Sequence, residues 1–428
     1  MTAPVSEHFI PYRKKEILEM ILADGPMGED ERARFEELAI LLQSLYHFSF
    51  HQKVESLKNN YFPFSADDEA HFGSPPSPET LERFEQDLLK EFREVLKAAN
   101  YEELGDEALS YAQKEQSLFH INVYIKLDDF KTYLMYSRGE RVIRERVRRL
   151  VFFKREIDVP IFERIVLLIH FKKADHFSEK ARLPFEPGSM IIKLFKNIPK
   201  ADIEMLFPNA RVRMKVRDKL FMGVPALGGG VWVLLKTFTG LVAFFVVLGA
   251  MIANFFTGGS FRAPTPQQMA QIIGGLASLA VLGAFVFKQW SKYKNRKILF
   301  MKALGESLYY KNLDSNAGVF HHLIDSAEEE ENKEAILAYY FLLRHPRGLS
   351  QEALDQAVER WFLEKHGTTL NFEVDDALGK LIDLGICEQS DDPEPLFTVV
   401  PVETACEILD YRWDNYFSNN RGSGGEST

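Results

Sequence analysis

Two cysteines in 428 residues, Cys387 and Cys406, are too few for a disulfide framework or a thiolate zinc site, and they suit a reducing compartment. Nor does either have a histidine close in sequence to activate a thiolate. Acidic residues are almost missing from one long stretch: residues 224–312 hold Glu306 alone. Catalytic signatures are missing as well. There is no Gly-x-Ser-x-Gly elbow, no His-Glu-x-x-His and no Gly-x-Gly-x-x-Gly. Gly228–Gly230 precede Lys236 and Thr237, but the intervening residues are apolar and one too many for a phosphate loop. No apolar stretch stands near Met1, so no secretory signal is expected.

What is present is ordinary in bulk and uneven in distribution. Apolar residues make up 46% and charged ones 27%, which suits a folded chain. The length exceeds what one core usually serves, so two to four domains are expected. The net charge of −10 hides four blocks. Residues 1–130 carry −13, 131–223 carry +11, 224–312 carry +8 and 313–428 carry −16.

The basic half encloses two uncharged apolar runs. Thr237–Phe256 is 20 residues long and Met269–Phe287 is 19. At about 1.5 Å per residue either is long enough to cross a hydrocarbon core of about 30 Å. Gly258, Gly259, Pro264 and Pro266 lie between them, which predicts a helical hairpin with spans near 235–256 and 269–287. Arg211, Arg213, Lys215, Arg217 and Lys219 precede the first span; Lys288, Lys292, Lys294, Arg296 and Lys297 follow the second. These ten are the candidate contacts to anionic lipid. Arg262 is the only charge in the connector. The positive-inside rule therefore keeps both termini cytoplasmic, or on the matrix or stromal side, and a bacterial plasma (inner) membrane is expected. Trp232 and Trp290 suit an interfacial belt, and Lys236 can reach headgroups from the edge of the first span. Gly274, Ala277, Ser278, Ala280 and Ala284, with Gly249 and Ala253, would let helices approach closely, within the hairpin or between chains.

Residues 1–130 read as mainly helical. Phe35, Leu38, Ala39, Leu42, Leu45 and Tyr46 fall at helical spacing, and Thr80–Ala99 is amphipathic beyond the loop with Pro75, Pro76 and Pro78. His47 and His51 are four apart, but two imidazoles do not make a metal site. Residues 131–223 read as a small basic, membrane-proximal α+β domain with short β-rich runs. Its arginines Arg138, Arg141, Arg144, Arg146, Arg148 and Arg149 suit anionic lipid better than nucleic acid, with pairing to Glu140, Glu145 and Glu156 as the plain alternative.

Within that region the run Phe195–Pro208, FKNIPKADIEMLFP, followed by two hydrophobic spans, resembles an uncharacterised membrane-protein family of unknown function. That family has bacterial and plastid members and a human mitochondrial transmembrane protein. The resemblance spans roughly residues 130–310, implies a membrane protein, and carries over no catalytic residue. Asp202 and Glu204 lie in the matching run; pairing with Lys200 or Arg211 is the plain reading, and a carboxylate pair doing chemistry the sharper one.

Residues 291–417 predict a winged-helix-like acidic domain. Glu328–Glu331 suit the start of a helix over Asn332–Leu343. Helices over Gln351–Lys365 and Phe372–Leu384, a hairpin, and a last helix over Glu403–Phe417 follow. Glu373, Asp375, Asp376 and Asp383 against Lys380 would repel phosphates from the third helix, so protein binding or self-association is favoured over DNA. Residues 418–428 form a polar tail.

The fold class expected is therefore mixed: a helical N-terminal region, a small α+β basic domain, a two-helix transmembrane hairpin (224–290) and a winged-helix-like end. The leading function is a membrane-anchored adaptor with a lipid-facing basic domain and protein-binding ends. An oligomeric transport or channel component, and a membrane enzyme with its site in 131–223, stand as alternatives. No catalytic residue, cofactor or metal is assigned.

Overall fold

A computed structural model describes residues 9–25, 27–66, 76–105, 108–109, 122–150, 153–178, 183–213, 238, 240–254, 256–257 and 264–417. It contains both helices and sheet and divides into two compact units. The first is assembled from Met1–Lys114, Lys126–Pro208 and Lys311–Thr428, the second from Glu115–Ile125 and Asn209–Tyr310.

The first unit opens with α1 (Lys14–Asp24), α2 (Glu29–Tyr61) and α3 (Pro78–Ala98). Three acids at the start of α2 complement its dipole, and Leu38, Leu42, Leu45, Phe50, Val54 and Leu57 recur along one buried face. Ser77 caps α3, accepting from the Thr80 amide at 3.2 Å, and Pro78 takes the first helical position. A five-stranded antiparallel sheet follows, in the order β1 (Glu102–Glu103), β3 (Phe130–Leu150), β4 (Phe153–Phe171), β5 (Met190–Pro199), β7 (Asn312–Ser315). On β4, Val166 and Leu168 enter the helical core, while Ile165, Leu167 and Ile169 are equally buried on the opposite face. Burial on both faces explains the unbroken apolar run. The 3₁₀ helix Lys200–Leu206 packs on β4 and β5, and Phe207 stacks on Phe130 with centroids 5.8 Å apart.

The rest of this unit is α6 (Ala317–Leu343), α7 (Gln351–His366), α8 (Val374–Asp383), the paired strands β8 (Cys387–Gln389) and β9 (Phe397–Val399), and α9 (Val402–Asp414). Gly385 follows α8 with φ +76°, a conformation open to glycine. One expectation needs correction. The helix containing Asn332 starts at Ala317, so Glu328–Glu331 lie in its interior and do not open it. Val319, Phe320, Leu323 and Ala327 are fully buried at helical spacing upstream, and nothing between them and Ile336 breaks the turn. Residues of α2, α3, the sheet, α6, α7 and α8 share one hydrophobic cluster. Segments that differ in charge thus contribute to a common core. Each large apolar side chain buried there contributes roughly 1.5–3 kcal/mol.

In the second unit β2 (Asn122–Tyr124) pairs with β6 (Arg211–Arg213). Two apolar helices follow, α4 (Gly240–Asn254) and α5 (Pro266–Lys311). Gly240 sits against α5: a Cβ there would lie 2.6 Å from Ser278 Oγ, and one on Gly275 would collide with Phe244. Among the described residues, only Pro266–Lys292 is a helix long and apolar enough to cross a membrane. The expected first span falls partly outside the described residues, as do Trp232 and Lys236. The second helix does not stop near Phe287. It runs past Trp290, where a domain boundary is expected, to Lys311, because no proline interrupts residues 288–311.

Candidate functional site

Two features of the first unit carry unusual chemistry: a charged cluster inside its core and a two-stranded ribbon leaving its sheet. The cluster is centred on α6. Glu330 and Lys333 are one turn apart, with side chains 1% and 3% exposed, and their charged ends are 2.8 Å apart. Lys333 Nζ also donates to the carbonyls of Ile10 at 2.7 Å and Tyr12 at 3.0 Å. Glu330 accepts from the Ile10 amide at 3.1 Å and from Arg138 at 2.8 Å. The Arg138 guanidinium further donates to the Ala99 carbonyl and lies over the Phe9 ring. So an ion triad pins the segment before α1 to the middle of α6 and to β3. Removing water from such groups is costly, and it is tolerated here because the donors and acceptors meet in hydrogen-bonding geometry.

A second group adjoins the first. Glu334 is buried, accepting from Asn100 and from Lys380, both at 3.1 Å. Lys380 also reaches Asp376 at 2.9 Å and Glu331 at 3.8 Å. Burial pushes the Glu334 carboxyl up to about 7, and burial likewise raises Glu331. Lys380 is desolvated too, yet its three carboxylate neighbours hold its pKa above the ordinary value. The two shifts have the same sign because several acids share one ammonium. One cation is stabilised, and one acid is left poised to take a proton. At the edge of the cluster, Glu328 meets His47 Nδ1 at 2.8 Å and Lys14 at 3.5 Å. His47 is therefore engaged with a carboxylate. Among the described residues no three His, Cys, Asp or Glu side chains could hold a metal ion together.

Elsewhere in the core, Glu85 on α3 meets His170 of β4 at 2.7 Å and Lys131 at 2.5 Å. Burial raises the Glu85 pKa, but these partners outweigh it and bring it below the ordinary value. Both cysteines are free and buried, and desolvation pushes each thiol up to about 11.

The ribbon is the continuation of β3 and β4. Their pairing runs from Phe130 opposite Phe171 to Leu150 opposite Phe153. β5 stops pairing at Ile161 opposite Pro199, and β1 covers only Tyr136 and Ser137. Among the described residues, the two strands continue beyond these points with only each other as partners. Gly139, at φ +71° and with Glu163 3.1 Å from its virtual Cβ, marks the departure. Near this base the arginines are paired: Arg141 with Glu163 at 3.2 Å, Arg144 with Asp158 at 3.5 Å.

The residues expected to contact lipid divide by place. Lys288, Lys292 and Lys294 project from α5 at the end of its apolar stretch, and Lys294 Nζ lies 5.5 Å from the Trp290 ring centroid. Arg296 and Lys297 belong to the same helix, and Arg211 and Arg213 to β6. Lys215, Arg217 and Lys219 lie outside the described residues. Asp202 and Glu204 are buried in the 3₁₀ helix Lys200–Leu206. The pairing expected from Lys200 is corrected: its ammonium turns to Glu140 at 2.6 Å and lies over Phe162, because the β5 end brings it to the ribbon base.

A family of proteins of unknown function (DUF3754) matches residues 162–318. The match covers a little over a third of the chain. It starts in β4, takes in β5, the FKNIPKADIEMLFP run and α5, and ends just past β7. Near the end of the match β7 pairs with β5, and Asn316 exchanges hydrogen bonds with the backbone of Ile192 at 2.7 and 3.1 Å. The matched residues thus include most of β4, all of β5 and β7, and the apolar helices that lie between β5 and β7 in the sequence. No solved structure matches the chain.

The charged core cluster escaped sequence reasoning. Its one signal was the continuity of the 317–343 pattern through an acidic run, with a lone Lys380 on an acidic helix.

Proposed function

We propose that the chain is a two-span integral membrane protein in which α4 and α5 form a hairpin. The first unit would act as an adaptor on the cytoplasmic side of the membrane. The observation that carries this is Pro266–Lys292. It is 27 residues, about 40 Å as a helix, and Ile273, Leu276, Val281, Val286 and Phe287 are all more than half exposed. So long an apolar surface left uncovered costs free energy in water and none in a bilayer. Lys288, Lys292 and Lys294 beside Trp290 support an interfacial end there. Gly240, Gly275 and Ser278 support pairing of the two helices within one chain.

The adaptor reading draws on the end of the chain. The order α6, α7, α8, β8, β9 suits a winged-helix-like arrangement. The only lysine of α8 is shared between Glu334 and Asp376, leaving Asp375 and Asp383 exposed. That acidic face favours a protein partner over nucleic acid. Alkaline carbonate extraction tests the anchor. The chain should stay with the membrane pellet; release into the supernatant would overturn the proposal.

A further inference from the structure

Helix α9 (Val402–Asp414) packs on α2, and its two faces differ in kind. Val402, Ala405, Cys406 and Leu409 recur at helical spacing and are buried. The same spacing turns Glu403, Glu407, Asp410 and Asp414 outward, and all four are exposed. Arg34 reaches Glu403 at 3.9 Å. Among the described residues, Glu407, Asp410 and Asp414 stand in no ion pair. The outer face is thus an acidic ridge of roughly 16 Å, at about 1.5 Å per residue.

Beside that ridge lies a group of rings. Trp413 follows Leu409 by one turn, beyond the edge of the core, and its indole leans on Phe48 of α2 with centroids 6.2 Å apart. Tyr416 and Phe417 meet the same Phe48 ring at 4.6 and 5.5 Å, each edge to face. This packing holds the rings in place and leaves two of them open. Trp413 is 43% exposed and Phe417 67%. Asp410 and Asp414, three residues before Trp413 and one after it, border the indole on the helix surface. A fixed group of exposed rings marks a surface that meets something other than water.

Charge decides the kind of partner. Carboxylates repel the phosphates of lipid and nucleic acid, whereas carboxylates and ring faces both attract cations. A guanidinium answers both at once, stacking on a ring and forking to a carboxylate. We propose that the outer face of α9 docks an arginine- and lysine-rich segment of another protein, with Trp413 and Phe417 as anchors and Asp410 and Asp414 as countercharges. The proposal rests on the adaptor reading, in which the first unit binds a protein, and names the face that binds and the chemistry the partner carries.

The full-length chain in phosphatidylcholine nanodiscs tests it, since a neutral bilayer offers a basic probe no countercharge. The probe is a fluorescein-labelled peptide of eight arginines, with eight glutamates as control, and binding is read by anisotropy at physiological salt. The arginine peptide should bind and the glutamate peptide should not. D410K/D414K should weaken binding about tenfold, and W413A/F417A, which changes no charge, about fivefold. D375K/D383K on α8 should change it less than about twofold. Benzoylphenylalanine in place of Phe417 gives a second readout that keeps a ring at this position, and light should couple it to the arginine peptide. Equal weakening by the α8 and α9 charge variants, unchanged affinity in W413A/F417A, no binding at all, or coupling at 417 to lipid or to a second copy of the chain would overturn the proposal. Binding lost only in D375K/D383K refutes the α9 face and keeps the adaptor. Release of the chain by alkaline carbonate refutes the membrane adaptor and leaves the result on α9 standing.

Discussion

Lys333 Nζ lies 2.8 Å from Glu330 one turn earlier on α6 and also holds the carbonyls of Ile10 and Tyr12. One ammonium thus joins the middle of α6 to the segment that leads into α1.

Replacing Lys333 by Met should therefore destabilise the first unit by about 3–5 kcal/mol, since Glu330 would keep its burial and lose a countercharge. A denaturant midpoint measures this. Hydrogen exchange at the Ile10 amide should accelerate in the same variant. An unchanged midpoint would show that the triad contributes nothing net.

The pH dependence follows from Glu334. Its folded pKa, near 7, exceeds the ordinary 4.5, so between these values the unfolded chain releases a proton that the folded chain keeps. Its contribution is harmless below about 4.5, and stability falls as pH rises toward 7. Glu334→Gln should remove that slope, seen as the difference between wild-type and variant unfolding curves across pH 4.5 to 7. Glu85 acts in the opposite sense. Its folded pKa is lowered, so its contribution is present above about 4.5 and is lost as pH falls further.

Gly139 sits at φ +71°, where a side chain is strained, and Glu163 occupies the space beside it. Gly139→Val should cost at least about 1–2 kcal/mol and loosen the ribbon base. Limited proteolysis between 140 and 160 should speed up, while cleavage elsewhere keeps its rate.

Gly275 lies against Phe244 with no room for a Cβ. Gly275→Ile should therefore part α4 from α5. A disulfide between cysteines placed at 240 and 278 should form readily in the parent chain and poorly in this variant.

Much of the helical pattern was legible, and for a physical reason. Leu38, Leu42 and Leu45 on α2, or Ala377, Leu378 and Leu381 on α8, repeat at the helix period, and such stripes must be buried. Gly385 and Ser77 mark helix ends by conformational freedom and capping. The charge blocks misled because charge reports surface, whereas Leu134, Phe320 and Leu42 meet in one core whatever their blocks carry outside. Glu328–Glu331 mislead for the converse reason: four acids suit a helix start, and beside the neighbouring Lys333 it is the distant Lys14, His47, Arg138 and Lys380 that make their burial tolerable. Partners far apart in sequence leave no local signature. The ribbon was hidden similarly, since the length of β3 depends on its pairing with β4.

Side-specific thiol labelling tests the membrane hairpin most directly. Single cysteines at Gly259 in the connector and at Asp391 in the first unit are exposed to an impermeant maleimide, before and after permeabilisation. The account predicts labelling of Gly259→Cys in intact cells and of Asp391→Cys only once the membrane is opened. Labelling of both from one side would contradict it.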